Sequence, residues 1–201
     1  MDYANLGNSG LKVSRIGLGT NNFGGQVNEE DSFRIIRKAM DLGINLIDTA
    51  NIYTRGKSES IVGKAVQGYR DEVIIATKVG MNTGKGLNET GLSRKHIMSQ
   101  IRHSLESLGT GFIDIYYLHR FDGETPLGET LSTLNDLVHQ GRVRYTLRAP
   151  TSRLGRLLMP VRSAVSTTWR NCLQSSRPII CFRGASNKTF FHIVNVKDWE
   201  Y

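Results

Sequence analysis

The chain has 201 residues, 39% of them hydrophobic and 22% charged, an ordinary globular balance that supports one domain, or a tight pair, with a sizeable core. No apolar run approaches the roughly 18 to 20 residues a membrane helix needs. The N-terminal MDYANLGNSG lacks the basic and apolar regions of a signal peptide, and the two cysteines, Cys172 and Cys181, are too few for a secreted disulfide framework. A cytoplasmic protein is expected. The net charge of +8 raises nucleic acid as a partner.

In chain order, Asn8-Ser9-Gly10 supplies turn chemistry for a hairpin between 3–7 and 11–18. Asn28 is placed to cap a helix with Glu29, Glu30 and Asp31 in its first turn, Phe33, Ile36 and Met40 on its apolar stripe and Gly43 as its stop. A β-branched run, Ile44 to Ile47, ends at Asp48, and Ser58 opens a helix with Ile61, Val62, Ala65 and Val66 on one side. The same alternation follows with a strand over 73–79, then a helix capped by Ser93 with Ile97, Ile101, Leu105 and Leu108 as its stripe. A strand over 112–118 comes next, then a helix striped by Leu131, Leu134 and Val138, a stop at Gly141 and a strand from Val143. Strands apolar on both faces and separated by helices require a parallel sheet covered by helices, which leaves a doubly wound sheet or a (β/α)8 barrel.

Composition changes near Tyr145. Residues 1–145 hold 17 Lys and Arg against 16 Asp and Glu, whereas residues 146–201 hold 9 against 2. The second segment also contains both tryptophans, both cysteines and three of the four prolines. Its cations show neither a helical stripe nor aromatic interleaving, so no nucleic-acid partner is expected. The division is therefore 1–145 as an ordered α/β part and 146–201 as an irregular tail.

Polar residues collect at the C-terminal end of each strand: Asp48, Lys78 and His119, with Tyr53 five residues past Asp48. In a barrel these ends share one rim, where barrel active sites lie. The set suits carbonyl reduction. A carbonyl that receives hydride develops an alkoxide needing a proton, and a phenol is a weak acid unless a neighbouring cation stabilises its phenolate. Lys78 would be that cation, Asp48 would orient Lys78, and His119 would orient the carbonyl oxygen or share in proton delivery.

These residues resemble the aldo-keto reductase family over Met1 to Tyr145. The matching pieces are VSRIGLGTNNFGG (13–25), GINLIDTANIY (43–53), GKSESIVGKA (56–65), VIIATKVG (73–80), SLESLGTGFIDIYYLHRFD (104–122) and GRVRY (141–145). The resemblance implies a (β/α)8 TIM barrel with an N-terminal hairpin across its bottom, of which this chain holds about four and a half βα units. It implies NADPH as cofactor, held in part by Gly19, Thr20 and Asp48; a small aldehyde or ketone as substrate; and Tyr53 as acid with Asp48, Lys78 and His119 as partners.

After Tyr145 the family pattern continues with a Gly-x-Ser-Asn segment that grips the nicotinamide amide, but this chain reads TLRAPTSRLGRL. Two bases on, the codons for Thr146 to Leu157 permit Ser-Asn-Phe-Ala-Ala-Trp-Gln-Ile, and those for Gln174 to Ile180 permit Gln-Ala-Tyr-Tyr, both similar to the family. A frameshift is thus expected, leaving a truncated and inactive reductase with open sheet edges prone to self-association. The alternative is a regulatory or binding half barrel that works only with a partner subunit.

Overall fold

The computed structural model describes residues 1–7 and 9–148. The irregularity expected of the tail lies outside the described residues from position 149 onward. Strands β1 (Tyr3–Asn5) and β2 (Lys12–Ser14) form the antiparallel hairpin, Tyr3 opposite Ser14. The strand expected over 11–18 divides in two. The chain bends after Ser14, whose hydroxyl donates to the Ile16 carbonyl at 2.7 Å, and β3 (Gly17–Gly19) leaves the hairpin to open a second sheet.

From there strand and helix alternate: α1 (Glu29–Asp41), β4 (Leu46–Asp48), α2 (Lys57–Ala65), β5 (Ile74–Val79), α3 (Arg94–Leu108), β6 (Ile113–Leu118), α4 (Leu127–His139) and β7 (Val143–Arg148). All neighbouring strands of the five-stranded sheet are parallel, in the order β3-β4-β5-β6-β7. A doubly wound sheet reverses its strand order at a switch point. Here space and sequence run together without reversal, so of the two architectures open to the sequence this is a partial (β/α) barrel. Strand β7 continues three residues past Tyr145, pairing Thr146 with Tyr116 and Arg148 with Leu118. Ladder pairing uses only backbone N–H and C=O groups, so it can outlast a change in side-chain character.

The caps follow the side-chain chemistry. Asn28 Oδ1 accepts from the Asp31 N–H at 2.8 Å and Ser93 Oγ from the His96 N–H at 3.3 Å. Ser58, expected to open its helix, does not cap it. Gly56, at φ +85°, precedes the helix, and the Ser58 hydroxyl donates instead to the Thr20 carbonyl at 2.8 Å. In α4 the buried face is Thr130, Thr133, Leu134 and Leu137, while Val138 is exposed.

The sheet divides the apolar residues. Ile36, Ile47, Ile61, Val62, Ile75, Ile97, Ile101 and Leu137 belong to the cluster between helices and sheet. Leu46, Ala76, Ile115 and Tyr117 form a smaller cluster on the opposite, inner face with Leu6 and Val13 of the hairpin. The hairpin is tied to the N-terminal end of β4, since the Ser14 N–H donates to Asn45 Oδ1 at 2.7 Å, and so it closes the bottom of the inner face. Each fully buried Ile, Val or Leu contributes about 1.5 to 3 kcal/mol, so the populous helix-side layer dominates stability.

Helices α2 and α3 approach closely at one glycine. A Cβ on Gly63 would lie 2.3 Å from the Leu108 carbonyl oxygen, a clash with backbone that no rotamer relieves. Gly63→Ala therefore lowers stability by about 1 to 3 kcal/mol, despite the roughly 1 kcal/mol of helix propensity it gains. Urea unfolding measures this, and an unchanged or raised midpoint would contradict the packing.

Candidate active site

Side chains alternate across a strand, so Leu46 and Asp48 of β4, Ile74, Ala76 and Lys78 of β5, and Ile115 and Tyr117 of β6 share the inner face. The register sets Gly19 beside Asp48 and Asp48 beside Ala76, which puts Lys78 one layer nearer the rim. Among the groups its ammonium meets there are Asp48 Oδ2 at 2.6 Å, the Thr49 carbonyl at 2.8 Å and the Tyr53 hydroxyl at 3.1 Å. The Lys78 side chain is 5% exposed and that of Asp48 23%. A charge so buried is tolerated only when paired and hydrogen-bonded, and Lys78 is both.

His119 follows β6 directly, its N–H donating to the Val79 carbonyl at 2.7 Å. Its ring stands edge-on to that of Tyr53, with centroids 6.1 Å apart and planes at 84°. Burial, then the nearby positive charges of Lys78 and Arg120, lower its pKa from 6.5 to about 4. The imidazole is therefore neutral near pH 7, with one ring nitrogen a donor and the other an acceptor. Nδ1 is buried without a hydrogen-bond partner among the described residues. All four side chains singled out from the sequence thus gather at the rim.

The chain behind them is held by a cluster of hydroxyls, in which Thr20, expected from the resemblance to hold the cofactor, and Ser58, expected to open a helix, turn to each other. Thr20 is wholly buried, and its hydroxyl donates to the Asp48 carbonyl at 3.1 Å and lies 2.8 Å from Ser58 Oγ. Thr49 Oγ1 completes the hydroxyl cluster, 3.0 Å from Ser58 Oγ. On the outer face of β5, Glu59 of α2 is 1% exposed and accepts from the Thr77 hydroxyl at 2.6 Å. Burial raises the Glu59 pKa above the usual carboxylate range, and burial together with Glu59 holds the Tyr116 phenol well above its ordinary value. In SESIVGKA, Glu59 reads as an ordinary solvent-facing helix residue. Its burial is tertiary, and the neighbouring Ser58, Ile61 and Val62 gave the only available signal.

The rim loops are joined as well. Asn51 Nδ2 donates to Gln100 Oε1 at 2.8 Å, and Asp122 Oδ2 accepts from the Leu92 N–H at 2.7 Å and the Thr125 hydroxyl at 2.6 Å. The first bond ties the loop after β4, which carries Tyr53, to helix α3, and the Asp122–Leu92 bond ties the loop after β6 to the loop after β5.

The depressed pKa of His119 has a measurable consequence. A ring harder to protonate when folded contributes stability that is present above the unfolded value of 6.5 and lost as pH falls from there through about 4. His96, whose pKa burial also lowers, titrates in the same direction. An NMR titration of His119 is expected to give a midpoint near 4, with His119→Asn flattening part of the acid loss of stability. A midpoint near 6.5 would contradict this environment.

Residues 15–146 match the aldo/keto reductase family. The chain is 42% identical over 171 aligned residues to a versiconal hemiacetal acetate reductase of Aspergillus parasiticus, covering 72% of this chain and 50% of that protein. It is 41% identical over 176 residues to an aldo-keto reductase of Fusarium vanettenii, and 39% identical over 176 residues to one of Metarhizium robertsii, each covering 72% of this chain and 48% of the relative. The chain thus spans about half the length of the curated relatives it matches. With its parallel sheet, its strand-end polar residues and this match over most of its described length, the chain belongs to the aldo/keto reductase family.

Proposed function

We propose that residues 1–145 carry the acid–base half of an NADPH-dependent carbonyl reductase, with Tyr53 as the general acid. The observation that carries this reading is the single ammonium of Lys78, within hydrogen-bonding distance of both Asp48 Oδ2 and the Tyr53 hydroxyl. A phenol gives up its proton more readily when a cation waits beside the phenolate, and Asp48 holds that cation in place. The neutral His119 serves as a donor that orients the carbonyl oxygen; without an imidazolium proton at pH 7 it is poorly suited to be the acid.

The cofactor supplies the hydride. The residues present fit its nicotinamide end: Gly19 offers no side chain beside Asp48 on the adjacent strand, and His119 Nδ1 is a buried polar atom lacking a partner among the described residues. Gly19 and Asp48 would hold it there. The Thr20 hydroxyl is engaged with the Asp48 carbonyl and Ser58, so Thr20 acts by locking β3 to β4 rather than by offering its side chain. The substrate class is a small aldehyde or ketone.

We also propose that the 201-residue chain itself has little reductase activity. TLRAPTSRLGRL stands where the resemblance places the segment that grips the nicotinamide, and a misplacement near 1 Å can cost on the order of 100-fold in rate. The edge positions of β3 and β7 among the described strands favour a second reading, a half barrel completed by another subunit.

Fluorescence titration with NADPH and an assay with nitrobenzaldehyde test both readings, on this chain and on one with the shifted frame restored at codon 146. Weak binding and no turnover are expected from the first and turnover from the second, with Tyr53→Phe reducing the restored rate by about 100- to 10,000-fold. An undiminished rate in Tyr53→Phe would overturn the assignment of the acid. Turnover by a defined dimer of the 201-residue chain would put the second reading first.

A further inference from the structure

Immediately after Tyr53 the backbone does something its side chains disfavour. Thr54 and Arg55 have φ of +47° and +59°, and Gly56 has φ of +85°, three successive residues in the left-handed region. The first two carry a Cβ that crowds the backbone there, and Thr54 is β-branched, which makes the conformation a genuine outlier. Such strain persists only where surrounding structure imposes it.

Thr54 is held on both branches of its side chain. Its hydroxyl donates to the Phe23 carbonyl at 2.6 Å, and its methyl lies where a Cβ on Gly25 would come within 2.9 Å of it. The loop that receives it is itself anchored. The Phe23 N–H donates to the Thr20 carbonyl at 3.1 Å, Gly24 N–H to Val27 O at 2.8 Å, and Thr20 N–H to the Asp48 carbonyl at 3.0 Å. Phe23 is 3% exposed. A closed circuit therefore runs from Tyr53 through Thr54, Phe23 and Thr20 to Asp48, and returns through Lys78 to the Tyr53 hydroxyl. The Thr54 bond joins the loop that carries Tyr53 directly to the loop after β3.

We propose that Thr54 is a positioning residue for Tyr53: its hydroxyl, bonded to the Phe23 carbonyl, clamps a strained left-handed turn that aims the phenol at Lys78. The inference rests on the reading of Tyr53 as the acid, but its test does not need turnover. Among the described residues, Lys78, Asp48 beyond it and His119 at its edge face the phenol.

The 201-residue chain labelled with [4-13C]tyrosine is titrated by NMR, with the Tyr53 signal assigned by its loss in Tyr53→Phe. Lys78→Met is expected to raise the ionisation midpoint of Tyr53; no change there would sink the reading of Tyr53 as an acid poised by Lys78, whatever Thr54 does. If Lys78→Met does raise it, Thr54→Gly, which accepts the turn but loses the hydroxyl, is expected to shift Tyr53 the same way, on the order of one unit. Thr54→Ser, which keeps the hydroxyl, stays with the parent. The Thr54 clamp is overturned if Thr54→Gly leaves the midpoint in place or if Thr54→Ser moves it as far. Urea unfolding of the same variants separates the clamp from general destabilisation, because a merely structural role would move Tyr53 only in step with the unfolding midpoint. Should Thr54→Gly fail to fold, Thr54→Asn, whose side chain tolerates the left-handed region, takes its place in the same comparison.

Discussion

A lysine ammonium buried at the end of a strand must be given partners, and the rim of this sheet is arranged around that requirement. Lys78 receives a carboxylate from β4, a carbonyl from the residue after it and a phenol from the following loop. No one of the three is adjacent to it in sequence. They meet because parallel pairing fixes Asp48 against Ala76, one layer below Lys78, and because the loop after β4 turns back over the strand ends. Breaking one side of such a cluster leaves an uncompensated buried charge, whose cost of several kcal/mol is comparable with much of a domain's net stability. The same arrangement that makes the fold tolerate the lysine also places a cation against a phenol.

Helix α2 links this site to the rest of the barrel. Its first turn directs Ser58 toward the hydroxyls of Thr20 and Thr49, and Glu59 toward Thr77. Consecutive helical residues do not face the same way; both are buried because the N-terminus of α2 wedges between the ends of β3 and β4 on one side and the back of β5 on the other. About one turn on, Gly63 allows the helix to lie against the carbonyl of Leu108. The close approach at one end and the polar contacts at the other fix the helix, and the helix fixes the strand ends that carry Asp48 and Lys78.

Much of this was legible in the sequence. Strands with apolar residues on both faces announced a parallel, helix-covered sheet, and Asn28 and Ser93 marked helix starts with their own hydrogen bonds. Asp48, Lys78 and His119 were recognisable because each stands where an apolar run stops. The bend that separates β2 from β3 was not, since it depends on the bond between Ser14 and Ile16 and on the pairing of Gly17 with Leu46. Ser58 resembled a helix cap because small hydroxyls favour that position, but tertiary contact with Thr20 took the hydroxyl elsewhere. The burial of Glu59 and the left-handed turn at Thr54 were equally hidden, because each contradicts what its residue type does locally and is imposed by neighbours distant in sequence.

The central claim is that one fixed ammonium organises the rim, and the most direct measurement of it is the 15N NMR signal of the Lys78 side chain in a lysine-labelled chain, assigned by its loss in Lys78→Met. An ammonium held by Asp48, Thr49 and Tyr53 is expected to exchange its protons slowly enough to be observed near neutral pH, and to lose that protection when Asp48 is changed to Asn. A Lys78 signal exchanging as fast as those of surface lysines such as Lys12 would contradict the account.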